Sequence, residues 1–308
     1  MKPLIYLICF VLARAVVLAQ PTQVYQWKAK EHIIDESGNP VAGALAIIGY
    51  YTNSVSTTTK RITGTNGLFE FQHDTLSEGA DVSFEARKDG YYSIWQQVNL
   101  QSPYDPAKWN IEKTLVLKKI GKPISMDAKK YAMALKLPEF GKRIGYDLVV
   151  GDWVGPRGKG VSADLIIEQD YTNLPSGGYY SKITVGFQNA GDGIQLYSIP
   201  DSEVGSGLRS PHEVPLSGYQ SEITRETSAL PGQPTKFEFD PKRIYLFRVR
   251  TALDHQGNVV SAHYGKIYGD FMQFSYYLNP TPNDRNVEFD PKQNLLVGLR
   301  SFEQVREP

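Results

Sequence analysis

For most of its length the chain alternates apolar and polar residues with a period of two, in short runs punctuated by glycine, proline and asparagine. Leu68-Phe69-Glu70-Phe71 sets the pattern: Phe69 and Phe71 project from one face and Glu70 from the other, as in a half-buried strand. From Val24 onward the same reading predicts strands at His32 to Ile34, Val41 to Tyr51, Val82 to Arg87 and Lys113 to Lys118. It continues with Tyr146 to Val150, Ala163 to Gln169, Tyr179 to Phe187, Ile244 to Asp254, Asn258 to Ile267 and Phe271 to Tyr277. Turn sequences stand between them. Asp35-Glu36-Ser37-Gly38-Asn39-Pro40 predicts a hairpin joining its two flanking strands, and His255-Gln256-Gly257-Asn258 predicts an antiparallel one. Tyr131, Met133, Leu135 and Leu137 also alternate; a short helix over Asp127 to Leu135 fits as well, and the strand is preferred.

The N-terminus breaks the pattern. Lys2 is followed by an unbroken apolar run from Leu4 to Ala13, and Val17-Leu18-Ala19 offers small-residue cleavage. Residues 1–19 therefore read as a secretory signal, with a mature chain beginning at Gln20 in the periplasm or outside the cell. The run stops at Arg14, short of the roughly 20 residues that a spanning helix needs, so no membrane span is expected after cleavage. The single cysteine, Cys9, lies in this segment, so disulfides, thiolate zinc sites and a cysteine nucleophile are not expected in the mature part.

Length and composition sharpen the class. A chain of 308 residues is long for one core and comfortable for two. With 27 Gly, 19 Pro, 19 Tyr and 13 Phe, it favours many short strands over long helices, and the fold class expected is all-β. Lys+Arg and Asp+Glu are both 33, so no net field attracts nucleic acid, which is not expected as a partner.

Ile33-Ile34-Asp35-Glu36-Ser37-Gly38-Asn39-Pro40-Val41-Ala42-Gly43-Ala44 resembles the opening of the carboxypeptidase regulatory-like domain. Thr63 to Phe71 resembles that family's glycine turn with aromatic strand, and Ala86 to Tyr91 its late strand and turn. Gly64 departs from the pattern, standing where the family usually has Asp. The resemblance covers about residues 24–119 and implies a transthyretin-like sandwich of about seven strands. No zinc-peptidase pair is visible: His32-Ile33-Ile34-Asp35 enters a turn, and His32 reads as a surface strand residue. Pro123 and Pro138 then mark residues 120–143 as a linker. Residues 144–300 follow as a second, larger antiparallel sandwich or jelly-roll-like domain of no recognised family.

Catalytic constellations are thin. Glu238 and Asp240, like Glu288 and Asp290, lie two apart on a strand and share a face, an arrangement that carboxylate glycosidases use. They sit in a repeat, Phe237 to Lys242 and Val287 to Lys292, which suggests two related hairpins ending in Arg250 and Arg300. With the phenylalanines inward, these acids are expected in water. Gly155-Pro156-Arg157-Gly158-Lys159-Gly160 lacks the spacing of a phosphate loop. His32, His73, His212, His255 and His263 are scattered and form no metal signature, no cofactor is implied, and no Gly-x-Ser-x-Gly elbow occurs. Tyrosines recur in adjacent pairs, Tyr50-Tyr51, Tyr91-Tyr92, Tyr179-Tyr180 and Tyr276-Tyr277, which on a strand place one ring inside and one outside. Tyr180 and Tyr277 are the candidate ligand-binding residues. The expected function is an exported, non-catalytic binding or structural protein contacting a glycan or a cell-surface protein. The alternative is a hydrolase acting on carbohydrate through Glu238, Asp240, Glu288 and Asp290.

Overall fold

Wherever β-branched and aromatic residues alternate with polar ones, the chain is extended. The structure, a computed structural model, describes residues 23–52, 55–76, 79–100, 104–131, 137–175, 177–236, 240, 242–271 and 273–308. The expected signal segment and Glu238 lie outside these. The described residues form an all-β protein with several packed sheets and one single-turn 3₁₀ helix at Asp201–Glu203.

The first unit has seven strands: β1 Tyr25–Asp35, β2 Leu45–Tyr51, β3 Ser56–Ile62, β4 Leu68–Thr75, β5 Ala80–Arg87, β6 Ile94–Leu100 and β7 Asn110–Leu117. They make a sandwich of sheet β4-β1-β7 against sheet β3-β2-β5-β6. The odd residues of β1, among them Tyr25, Trp27, Ala29 and Ile33, face Ala46, Ile48, Tyr50, Val82 and Phe84 in one core. Trp27 and Tyr50 stack across it, centroids 5.1 Å apart at 15°. The hairpin expected at Asp35 to Pro40 does not form. The turn returns the chain only as far as Val41 N donating to Ile33 O, after which β2 crosses into the opposite sheet.

The second unit has β8 Ile124–Tyr131, β9 Ile144–Asp147, β10 Asp152–Trp153, β11 Leu165–Asn173, β12 Tyr179–Gly186 and β13 Gly193–Ser198. Then come β14 Glu222–Ala229, β15 Arg243–Leu253, β16 Val259–Gly269, β17 Phe274–Leu278 and β18 Phe289–Asn294. Sheet β10-β9-β11-β12-β14 packs on sheet β13-β15-β16-β17-β8-β18. The predicted hairpin at His255 to Asn258 joins β15 to β16. Residues 120–143 are not simply a linker: β8 lies inside the larger sheet, with Met126 and Ala128 fully buried, and Pro123 and Pro138 flank it.

The larger sheet is covered on both faces. Tyr245, Phe247, Ile267, Phe274 and Tyr276 meet the five-stranded sheet in one core. Leu246, Tyr264, Tyr268, Tyr277 and Phe289 form another, closed over by Ile199, Val214, Val287 and Val305. At the edge, Arg250 adopts φ +54°, beside a bulge in the β15–β16 pairing, and bonds Asp164 at 2.7 Å and Asp147 at 3.2 Å, tying the two sheets together.

Residues 200–214 leave β13 and lie on the first unit. Gly207 N donates to Ser93 O at 2.8 Å and Trp95 N to Gly205 O at 3.1 Å. Gln96 Nε2 reaches Asp201 O and Val204 O. Buried Lys118 bonds Ser210 O and sits 2.7 Å from Glu203. The two units thus meet in a bonded junction.

Candidate functional site

Strands β11 and β12 run past the edge of their sandwich. Leu165, Ile167 and Gln169 point into the core, and two residues on the same face emerges with Tyr171, 44 % exposed. On the neighbouring strand, Val185, Ile183 and Ser181 are buried and Tyr179 is half-buried. Tyr171 and Tyr179 stack at 5.9 Å and 18°. Gly141 N donates to Gln169 O and so sets Phe140, 59 % exposed, beside them, its ring 6.1 Å from Tyr171. Asn173, paired with Tyr179 across the strands, accepts the Tyr171 hydroxyl at 3.1 Å through Oδ1. The result is a row of three exposed rings with a primary amide alongside, a surface that offers flat apolar faces and a hydrogen-bonding edge to a ligand.

The expected tyrosines fare differently. Tyr180 points to the other face of the sheet, where desolvation and then Glu226, which also holds Lys236 at 3.1 Å, raise its phenol above the ordinary value. Tyr277 is fully buried, as is Tyr276, so neither ring of that pair is presented. A strand buried on both faces has no outside for the second ring. Tyr50 and Tyr51 keep the expected division, 1 % and 41 % exposed.

The carboxylates also separate. Glu288, expected in water, is 1 % exposed at the junction of the two units. It accepts Tyr92 Oη at 2.7 Å, Gly121 N and Lys122 N at 2.9 Å, and bonds His212 Nδ1 at 3.2 Å. Burial pushes its carboxyl up, but the His212, Tyr92 and backbone bonds outweigh this and hold it at about 2. With its lone pairs occupied and no proton to give at neutral pH, it is poorly placed for acid or base work. Asp290 accepts Lys292 N, and Asp240 accepts Lys242 N, both at 2.9 Å. The sequence repeat is thus a repeated Asx turn at Asp-Pro, while the hairpin expected at its second copy is instead β18, parallel to β8. Arg300 pairs with Glu303 and has no part like that of Arg250.

Around Gly155 to Gly160 the chain answers its own amides: Lys159 N donates to the Asp152 carboxylate at 2.9 Å, and Arg157 pairs with Glu139 at 2.7 Å. His32 bonds Glu112 at 2.8 Å, His263 bonds Asn279 O and His73 packs against Tyr50 and Phe71. Among the described residues no three His, Asp or Glu side chains gather as a metal-binding group. No helix among them is long and apolar enough to cross a membrane.

Sequence reasoning missed Phe140, Tyr171 and Asn173. The available signal was the polar Gln169 and Asn173 at the end of an otherwise apolar inward face, which marks a strand leaving its core.

No family model and no curated protein matches the chain. Among solved structures, chlorocatechol 1,2-dioxygenase from Pseudomonas putida aligns with 31% of this chain at TM-score 0.26 and 11% identity; the matched stretch spans 61% of the dioxygenase. A DUF3823 family protein from Parabacteroides merdae aligns with 86% of this chain and 98% of its own, at TM-score 0.21 and 8% identity. Likenesses this distant say nothing about chemistry.

Proposed function

We propose that the chain is an exported, non-catalytic binding protein that holds carbohydrate on the row Phe140, Tyr171 and Tyr179. The observation that carries this reading is the exposed stack of rings with Asn173 beside it. A sugar ring has an apolar C–H face and an equatorial fringe of hydroxyls. An exposed aromatic face suits the first and a carboxamide the second. In this reading the first unit is a carboxypeptidase regulatory-like module used as a spacer, and the apolar N-terminal run is the export signal.

A glycan-binding screen followed by calorimetry tests it. One stacked ring contributes roughly 1 kcal/mol beyond burial, so Tyr171→Ala should weaken binding about fivefold and leave the unfolding transition in place. Tyr180→Ala, altering the opposite face, should leave affinity unchanged. Binding to a cell-surface protein and to no glycan would overturn the ligand class. Glycan turnover lost on changing Asp240 or Asp290 would favour the hydrolase instead.

A further inference from the structure

His212 belongs to the second unit by its backbone. Its carbonyl accepts Val287 N at 2.9 Å, and Val214 N donates to Arg285 O at 3.0 Å, so the segment is laced to the residues entering β18. Its side chain, however, faces two carboxylates from different units. Nδ1 lies 3.2 Å from Glu288 and Nε2 lies 3.3 Å from Glu36, in the turn after β1. Two carboxylates are acceptors only, so both bonds exist together only when the imidazole carries two N–H groups, that is, when it is a cation.

We infer that His212 is a proton-operated latch that ties the Glu36 turn of the first unit to the second and releases it when the imidazole loses its proton. The proposal is independent of the carbohydrate reading.

Bond counting shows which contact gives way. A neutral imidazole has one N–H to give. If it went to Glu36, the lone pair of Nδ1 would face the carboxylate of Glu288, which is almost wholly buried; if it goes to Glu288, the lone pair of Nε2 faces Glu36, which is partly in solvent. The second arrangement costs less, because an unmet charge is worse in a buried place. Glu288 also keeps Tyr92 and two backbone amides, whereas Glu36 keeps Lys119 N at 3.3 Å. The bond across the units is therefore the one lost.

The other charged groups around the imidazole bear on when this happens. Glu36 and Glu288 favour the cation from two sides. Lys119 and Lys122, from the segment between β7 and β8, line the same cleft, as do Glu213 and Asp284. Glu213 is neutralised by Arg285 at 2.5 Å. Lys266 acts on Glu288 from β16, and Tyr92 reaches it from the loop before β6. The sum holds His212 above its ordinary value, with the Glu288 bond the largest cause. The latch is then closed in mildly acidic solution and opens as pH rises through that raised value.

The test is a histidine titration by NMR combined with amide exchange on the full chain from pH 6 to 9.5, corrected for the intrinsic rate. Protection at Lys119 N and Gly207 N should fall about tenfold as His212 titrates, the equivalent of one charge-assisted bond. His212→Gln, with one donor at every pH, should show the weaker protection throughout. Protection that stays flat while wild-type His212 titrates overturns the latch. So does a folded His212→Gln protein as protected at pH 6 as the wild type. If that variant does not fold, the wild-type titration decides alone.

Discussion

Glu31 is a carboxylic acid in a place built for hydrocarbon. It sits on β1 in line with Ala29 and Ile33, is fully buried, and neither carboxyl oxygen has a hydrogen-bond partner among the described residues. Burial first, and the charge of Glu85 second, push its carboxyl up to about 8. At neutral pH the folded chain therefore carries Glu31 as the neutral acid, while the unfolded chain ionises it near its ordinary value. The folded state binds the extra proton between those two values, so stability falls as pH rises from about 4.5 to about 8 and is greatest below that window. Glu31→Leu should remove this slope in urea titrations at pH 5 and pH 8, and should stabilise the protein at pH 7 by about 3 kcal/mol. An unchanged slope would place the ionisation elsewhere.

At the scale of elements, the same five-residue device occurs twice. Asp35 accepts Ser37 N and Asn39 N through one oxygen, both at 2.9 Å, and Asp254 accepts Gln256 N and Asn258 N likewise, both at 2.8 Å. Gly38 and Gly257 take the left-handed conformation at φ +81° and +84°. Gly257→Ala meets no neighbouring atom, so its cost is the backbone conformation alone, about 1 kcal/mol by denaturant unfolding. Both turns were legible in the sequence; their consequences were not. The second carries a hairpin, while the first is followed by a chain that crosses to the other sheet, a choice made by packing far away in sequence. The seven strands of the first unit follow the count that the family resemblance implied. The strands that escaped sequence reading, β3, β13 and β14, lie at sheet edges, where one side of the ladder is unpaired and the face is too exposed to demand alternation. β18 was hidden by its Asp-Pro. For the candidate site, alternation found Tyr179 and Tyr180 as a pair but could not say which ring would lie beside Tyr171, because that depends on which sheet face the core occupies.

For the molecule as a whole, the junction is as specific as either core. A Cβ on Gly205 would lie 1.8 Å from Trp95 O, and φ +81° already disfavours a side chain there. Gly205→Ala should therefore break the Trp95–Gly205 bond while leaving the first unit's core and that of the second sandwich intact, since residue 205 belongs to neither. We expect a single cooperative unfolding transition in the wild type and two in the variant, separable by tryptophan fluorescence and far-ultraviolet dichroism; coincident transitions in the variant would refute the separation. The overhang of β11 and β12 has a different consequence. A row of rings beyond the edge of a sandwich has no opposite wall, so nothing there gauges where a polymer begins or stops. A surface of that form grips the middle of a strand as readily as its tip, holds it weakly at any one place, and gains its strength from many copies meeting many repeats.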